Sequence, residues 1–237
     1  MISKATKIGA GILLAGAIGL TVFMSGQDEG VIVKVKEIVS PLSSDFEFVK
    51  ETQYPIAAGS ASMETFDTLE SMYERAVIVA EVKIKDQETI YTSENPPSVL
   101  TWSEADIKTL YKGDTSLKTV KISETGGVID MSKSKGNEMR SDGKPRASEP
   151  FVESTIEGSP VMKKGNRYIV FLKDGYPGDP YTIVGTVQGK FRIEDVSNKG
   201  VVTIAPDRFA KHMDLFWLQR KFAGKEKIEI DKVLKSL

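Results

Sequence analysis

The stretch GNRYIVFLKD, Gly165 to Asp174, decides how the rest of the chain is read. Its middle, Tyr168–Leu172, is an unbroken apolar run of the β-branched and aromatic types that suit a pleated, packed surface. A run this short, bounded by turn residues, predicts a strand at the centre of the core. Downstream, Gly175, Pro177, Gly178 and Pro180 make a loop. YTIVGTVQGKFRIED (Tyr181–Asp195) then reads as two strands around Gly185 or Gly189, and VVTIA (Val201–Ala205) as one more.

Working back from the central strand, AVIVAEVKIKD (Ala76–Asp86) alternates between two faces, Val77, Val79, Glu81, Lys83 and Lys85 against Ile78, Ala80, Val82 and Ile84. That is a strand signature. LKTVKISE (Leu117–Glu124) alternates as cleanly and ends at Gly126-Gly127. Between them VLTWSEADIKTLYKGD (Val99–Asp114) fits two patterns. It is either a short helix capped by Ser103 and Asp106, or a long bent strand over Val99–Tyr111 ending in a Lys112-Gly113-Asp114 turn.

Before the barrel strands, Thr65 is a candidate N-cap for a helix whose Phe66, Leu69, Met72, Tyr73 and Ala76 keep three-four spacing. At the far end Pro206 and Asp207 open a helical segment with Phe209, Met213, Phe216, Trp217 and Leu218, stopped near Gly224, and Ile228–Leu237 suggests a final short helix. Residues 130–150 carry almost no apolar side chains after Met131, so burial cannot offset their ordering entropy and a mobile loop is expected. FVESTIE resumes order at Phe151. Residues 27–64 read as a linker with one or two short strands, at Val31–Val39 and near Phe46–Val49.

The N-terminus supplies the strongest statement about place. Lys4 and Lys7 precede the apolar run from Ile8 to Met24, and Asp28 and Glu29 follow it. Seventeen helical residues cover about 25 Å, close to the roughly 30 Å of a hydrocarbon core. The flanking charges put the N-terminus in the cytoplasm and residues 27–237 outside. A cleaved signal peptide, with secretion of the remainder, fits less well, because Met24 or Phe23 would stand where small residues are needed. Residues 1–26 are therefore read as a membrane anchor through 8–24. Gly11, Ala15 and Gly19 have the small-xxx-small spacing that allows close helix approach, although export segments are rich in such residues anyway. Gly9, Gly11 and Gly16 follow no strand and do not make a nucleotide loop.

Composition narrows the chemistry. The absence of cysteine excludes disulfides, thiol nucleophiles and Cys-based metal sites. Charge is unevenly spread. Residues 27–106 hold 16 acids against 6 bases and residues 107–237 hold 17 against 24, yet no stretch is basic and aromatic enough for nucleic acid. His212, the single histidine, sits in the C-terminal helical run with no nucleophile elbow or HExxH around it, and reads as a surface residue. Asp174 and Asp179 do not match an EF-hand and are read as turn chemistry. Asp67, Glu70 and Glu74 are a solvated helix face. No catalytic, cofactor-binding or metal-binding residue is assigned.

In the order ERAVIVAEVKI, TLYKGD, ISETGG, GNRYIVFLK, YTIVGTVQGKFRI, the chain resembles uncharacterised exported bacterial proteins, mostly Gram-positive, over about half its length. Their core is similar to the OB-type barrel of netrin-like modules and tissue inhibitors of metalloproteinases. Those inhibitors chelate the protease metal through an N-terminal cysteine; this chain has none, so the resemblance implies a fold and no activity. The fold expected is mostly β with flanking helices: a partly open, five-stranded OB-like β-barrel over residues 65–205, after an N-terminal transmembrane helix, with a C-terminal helical segment at 206–237. Trp102, Tyr111, Tyr176 and Tyr181 are the candidate ligand surface for glycan, peptide or protein, against the alternative that Trp102 and Tyr111 pack in the barrel or under a terminal helix. The function expected is non-catalytic binding of an envelope component or partner protein by a membrane-anchored extracytoplasmic domain. The alternatives are an exported carboxylate-dependent hydrolase of a wall polymer and a structural scaffold.

Overall fold

A computed structural model describes residues 52–94, 97–133, 150–196, 199–203 and 213–237. The membrane segment with Gly11, Ala15 and Gly19, the strands expected at Val31–Val39 and Phe46–Val49, and His212 lie outside them. Among the described residues no helix is long and apolar enough to cross a membrane.

The described residues are mostly β and form two sheets. The strand expected at the centre is β7 (Arg167–Lys173), in which Tyr168 to Leu172 are all buried. It earns its continuous apolar run by being covered on both faces. Along one edge it pairs antiparallel with β2 (Ile78–Glu94), from Ile78↔Leu172 to Lys83↔Arg167. β2 runs well past the expected end at Asp86 and pairs along its whole length with β3 (Pro97–Lys112), with several register shifts. The segment with two readings is thus the strand. Val99, Thr101, Ser103 and Ala105 are buried in strict alternation, and neighbours on both edges take up the backbone groups that a helix would have satisfied internally. The turn after it forms at Gly113, where φ is +125°.

On β3 lies β4 (Thr119–Thr125), antiparallel. The short β8 (Tyr181–Ile183) runs parallel to β4 at Ile122↔Tyr181 and Ser123↔Thr182, and antiparallel to β7 at Leu172↔Ile183 and Lys173↔Thr182. The sheet therefore curls β7-β2-β3-β4-β8 back toward β7 as a ring that is not closed, its last joints being two residue pairs each. The other half of the same β7 edge, Arg167–Val170, takes β9 (Lys190–Val196), on which β10 (Lys199–Thr203) pairs. The turn between β8 and β9 passes through Gly185, as the two glycines predicted.

A second, three-stranded sheet has the order β1-β6-β5: β1 (Ile56–Gly59) is parallel to β6 (Phe151–Ile156), and β5 (Gly127–Asp130) is antiparallel to it. β1 lies within the segment expected to be a linker, and the last residue of β5 within the expected loop 130–150. Ile-Ala-Ala-Gly has no alternation to announce a strand; it is recruited through backbone bonds such as Glu153 N–H to the Pro55 carbonyl (2.9 Å) and Glu157 N–H to the Gly59 carbonyl (2.8 Å). After β5 a 3-10 turn covers Met131–Lys133, and residues 134–149 of the expected mobile loop lie outside the described part.

The first helix, α1, is Leu69–Arg75 and its N-cap is Thr68, not Thr65: Thr68 Oγ1 accepts from Ser71 N–H at 3.1 Å. The cap moves because Gln188 occupies the backbone upstream. Gln188 accepts from Phe66 N–H (2.8 Å) and donates to the Phe66 carbonyl (3.2 Å), which holds that stretch out of the helix. At the other end a 3-10 turn at Met213–Phe216 leads into α2 (Trp217–Phe222), and α3 (Lys227–Ser236) closes the chain.

Two cores follow from the alternation. Ile78, Ala80, Val82, Ile84, Ala105, Ile122, Tyr168, Val170, Leu172 and Ile183 point into the ring. Val79, Ile169, Phe171, Phe191 and Ile193 point out of it and are covered by Leu69 and Met72 of α1, Leu218 and Phe222 of α2, and Ile230 and Leu234 of α3. The described residues cluster as one compact unit, which includes β1 and both C-terminal helices.

Candidate functional site

The four aromatic candidates do not share one surface. Tyr111, at the end of β3, faces the outer core and lies under α3. Its hydroxyl donates to Asp231 Oδ1 at 2.5 Å, and Tyr73 OH donates to its carbonyl at 3.0 Å. Burial, then the hydrogen bond to Asp231 and that carboxylate's charge, with a smaller contribution from Glu81, push the phenol above its ordinary range. Tyr181 packs against the inner core from β8. The remaining two are turned outward. Tyr176 is 83 % exposed at the tip of the β7–β8 connection, on a turn in which Asp179 N–H bonds the Tyr176 carbonyl at 2.8 Å and Gly178 takes φ +92°. Trp102 is half-buried and packs against neither core cluster.

Trp102 lies at the middle of the outer face of β2, β3 and β4. The register sets three rows across these strands: Ile90–Leu100–Thr125, Glu88–Trp102–Ser123, and Asp86–Glu104–Lys121. Because paired residues point the same way, each row shares one face. Ile90, Leu100 and Trp102 are half-buried, while Glu88, Lys121 and Thr125 are exposed. Alternation on β3 could have shown this face, since Leu100, Trp102 and Glu104 are the residues between the buried Val99, Thr101, Ser103 and Ala105. The β7–β8 connection enters β8 beside β4 and so borders the same region of the ring.

Charged side chains inside the protein were not anticipated by the sequence reading. On the ring's outer side Glu81 forms ion pairs with Arg167 (Nε at 3.1 Å) and Lys227 (Nζ at 3.1 Å), and Lys227 also reaches Asp231 Oδ2 (2.6 Å), which ties α3 to β2 and β7. On its inner side Lys190 Nζ donates to Glu124 Oε1 (2.7 Å) and to the Pro160 carbonyl, while Glu124 Oε2 accepts from Met162 N–H (2.9 Å). Glu153, fully buried on β6, accepts from Lys163 Nζ at 2.5 Å; its second oxygen and the hydroxyl of the equally buried Thr155 have no hydrogen-bond partner among the described residues. Each of these carboxylates is matched by a cation, the condition for keeping a charge out of water. The signal available was parity: Glu124 stands on the inward face of β4 with Val120 and Ile122.

Glu70 and Glu74 are exposed on α1, as their spacing predicted, while Asp67 is exposed but precedes the N-cap Thr68 and so lies outside the helix. Asp174 and Asp179 are exposed beside Tyr176. No group of three or more His, Cys, Asp or Glu among the described residues is placed to hold a metal ion. Compared with known proteins, the chain matches no protein-family model and no curated sequence.

Proposed function

We propose that the protein is a membrane-anchored extracytoplasmic binding domain. Residues 8–24 span the bilayer as a helix, and the ring of β2, β3, β4, β7 and β8 serves as an OB-type barrel of the netrin-like kind. The pairing order supports the barrel reading: an antiparallel β2-β3-β4 meander returns through β8, parallel to β4, to β7. In barrels of this type the outer face of the second and third strands and the adjoining loops take extended ligands. Here those are the β3–β4 face with Trp102 and the β7–β8 connection with Tyr176.

The observation that carries the binding reading is Trp102, a large aromatic on an outer strand face that belongs to neither core. Against the hydrolase reading, the buried acids are engaged: Glu81, Glu124, Glu153 and Asp231 with lysine or arginine, and Glu157 with Ala61 N–H (3.2 Å). A general acid needs a carboxyl free to exchange its proton with substrate.

The chain has no cysteine, so Ser123→Cys beside Trp102 introduces a unique thiol. A membrane-impermeant maleimide is expected to label it on intact cells. Labelling only after lysis overturns the extracytoplasmic placement, and turnover of a wall polymer by the purified chain overturns the non-catalytic reading.

A further inference from the structure

We infer that the outer face of β2, β3 and β4 takes a neutral glycan strand, with one sugar ring stacked on Trp102. The assignment rests on the binding face proposed above and names its ligand. The row Glu88–Trp102–Ser123 crosses three strands at a spacing of about 4.8 Å, so it spans roughly 10 Å, room for a short run of sugar rings. A pyranose presents an apolar C–H face ringed by hydroxyls. The indole of Trp102, with the aliphatic Leu100 and Ile90 in the adjacent row, offers the matching apolar strip. Ser123 and Thr125 on one side and Glu88 on the other offer hydroxyl and carboxylate partners for the rim.

Charge separates this occupant from the others. Next to the Trp102 row, Asp86 is paired with Lys164 (2.8 Å), Glu104 with Lys85 (2.9 Å) and Asp106 with Lys108 (3.5 Å). Glu88, the acid opposite Trp102, has no ion pair or hydrogen bond among the described residues. Its carboxylate is available to accept from sugar hydroxyls. Lys121, exposed in the adjacent row, is likewise unpaired among the described residues, so the face as a whole carries no net charge to draw a polyanion and is matched to an uncharged chain. A protein partner would require a larger apolar anchor. The exposed large hydrophobics among the described residues are Val77, Phe151, Tyr176, Ile228 and Leu237, and none stands on these three rows. An apolar strip one side chain wide, edged with hydroxyls, one unpaired acid and one unpaired lysine, suits a sugar chain better than a protein surface.

The test uses the full-length chain in detergent micelles, in a Trp217→Phe background so that emission reports Trp102 alone. Chitohexaose and cellohexaose are the glycan probes and polyphosphate is the anionic one. A saturable blue shift with either hexasaccharide, and weaker binding of the corresponding disaccharide, is expected. By calorimetry in the native background, Trp102→Ala is expected to weaken glycan binding by about tenfold or more. Glu88→Gln is expected to weaken it less and leave the melting temperature unchanged, which separates contact from folding. Absence of saturable glycan binding, or binding that Trp102→Ala leaves intact, overturns the assignment. A response of Trp102 to polyphosphate and not to glycans also overturns it, while leaving the face a binding face. Failure of acrylamide to quench Trp102 overturns the binding face itself.

Discussion

Lys190→Met removes one charge from β9 and leaves its partners where they are. Lys190 Nζ donates to Glu124 Oε1 at 2.7 Å and to the Pro160 carbonyl, and the two side chains of the pair are only 11 % and 5 % exposed. Without the ammonium, Glu124 keeps a single donor, Met162 N–H at 2.9 Å, for a carboxylate shut away from water. Removing one partner of a buried pair costs about 3–5 kcal/mol, because the remaining charge stays desolvated. For a unit of this size that is a fall of about 6–20 °C in melting temperature, at ~2–4 °C per kcal/mol. The double variant Lys190→Met/Glu124→Gln carries no stranded charge and is expected to recover at least about 1 kcal/mol relative to the sum of the single changes. Urea unfolding followed by tryptophan emission measures both, with the slope against urea checking that the unfolded state is unaltered. A Lys190→Met variant within about 1 kcal/mol of the parent, or strict additivity in the double variant, would refute the claim that this pair holds β4, β9 and the Pro160–Met162 segment together.

Phe191 is fully buried, with the rings of Phe171 and Phe222 at 5.9 and 6.3 Å, and Phe191→Ala is expected to cost about 3–5 kcal/mol in the same unfolding assay. Gly127 has φ +134° and its missing Cβ would strike Thr101 Oγ1, so Gly127→Ala is expected to cost at least about 1–3 kcal/mol and to speed amide exchange in β5. Gly165→Ala, at φ +85° with open space around it, should cost only about 1 kcal/mol and serves as the control. Tyr111 keeps its proton in the folded chain to higher pH than in the unfolded chain, where it ionises near 10.0. Above that pH the unfolded state binds fewer protons, so this group's contribution to stability is present below pH 10 and lost as pH rises beyond it. Tyr111→Phe should flatten that part of the alkaline unfolding curve, and an unchanged curve counts against the Tyr111–Asp231 contact.

Local sequence determined the elements whose pattern is self-contained. Tyr168–Leu172 could only be a core strand, because five consecutive apolar side chains need cover on both faces, and the alternation in Ala76–Asp86 and Leu117–Glu124 set both their conformation and their inward residues. The helix at Leu69–Arg75 was legible to within a few residues, and its cap was displaced by Gln188, a residue more than a hundred positions away. What tertiary structure alone decided are the features in which a residue's partner is distant. Val99–Lys112 is a strand because β2 and β4 flank it, and Ile56–Gly59 is a strand because β6 lends it hydrogen bonds that its small side chains do not predict. Glu81, Glu124 and Glu153 stand on strands as isolated charges in sequence, and only the fold brings Arg167, Lys190 and Lys163 beside them. Likewise Trp102 and Tyr111 lie on one strand and look alike in sequence. The helix that packs over Tyr111 comes from the end of the chain, so only folding distinguishes the aromatic it takes up from the one left on the outer face.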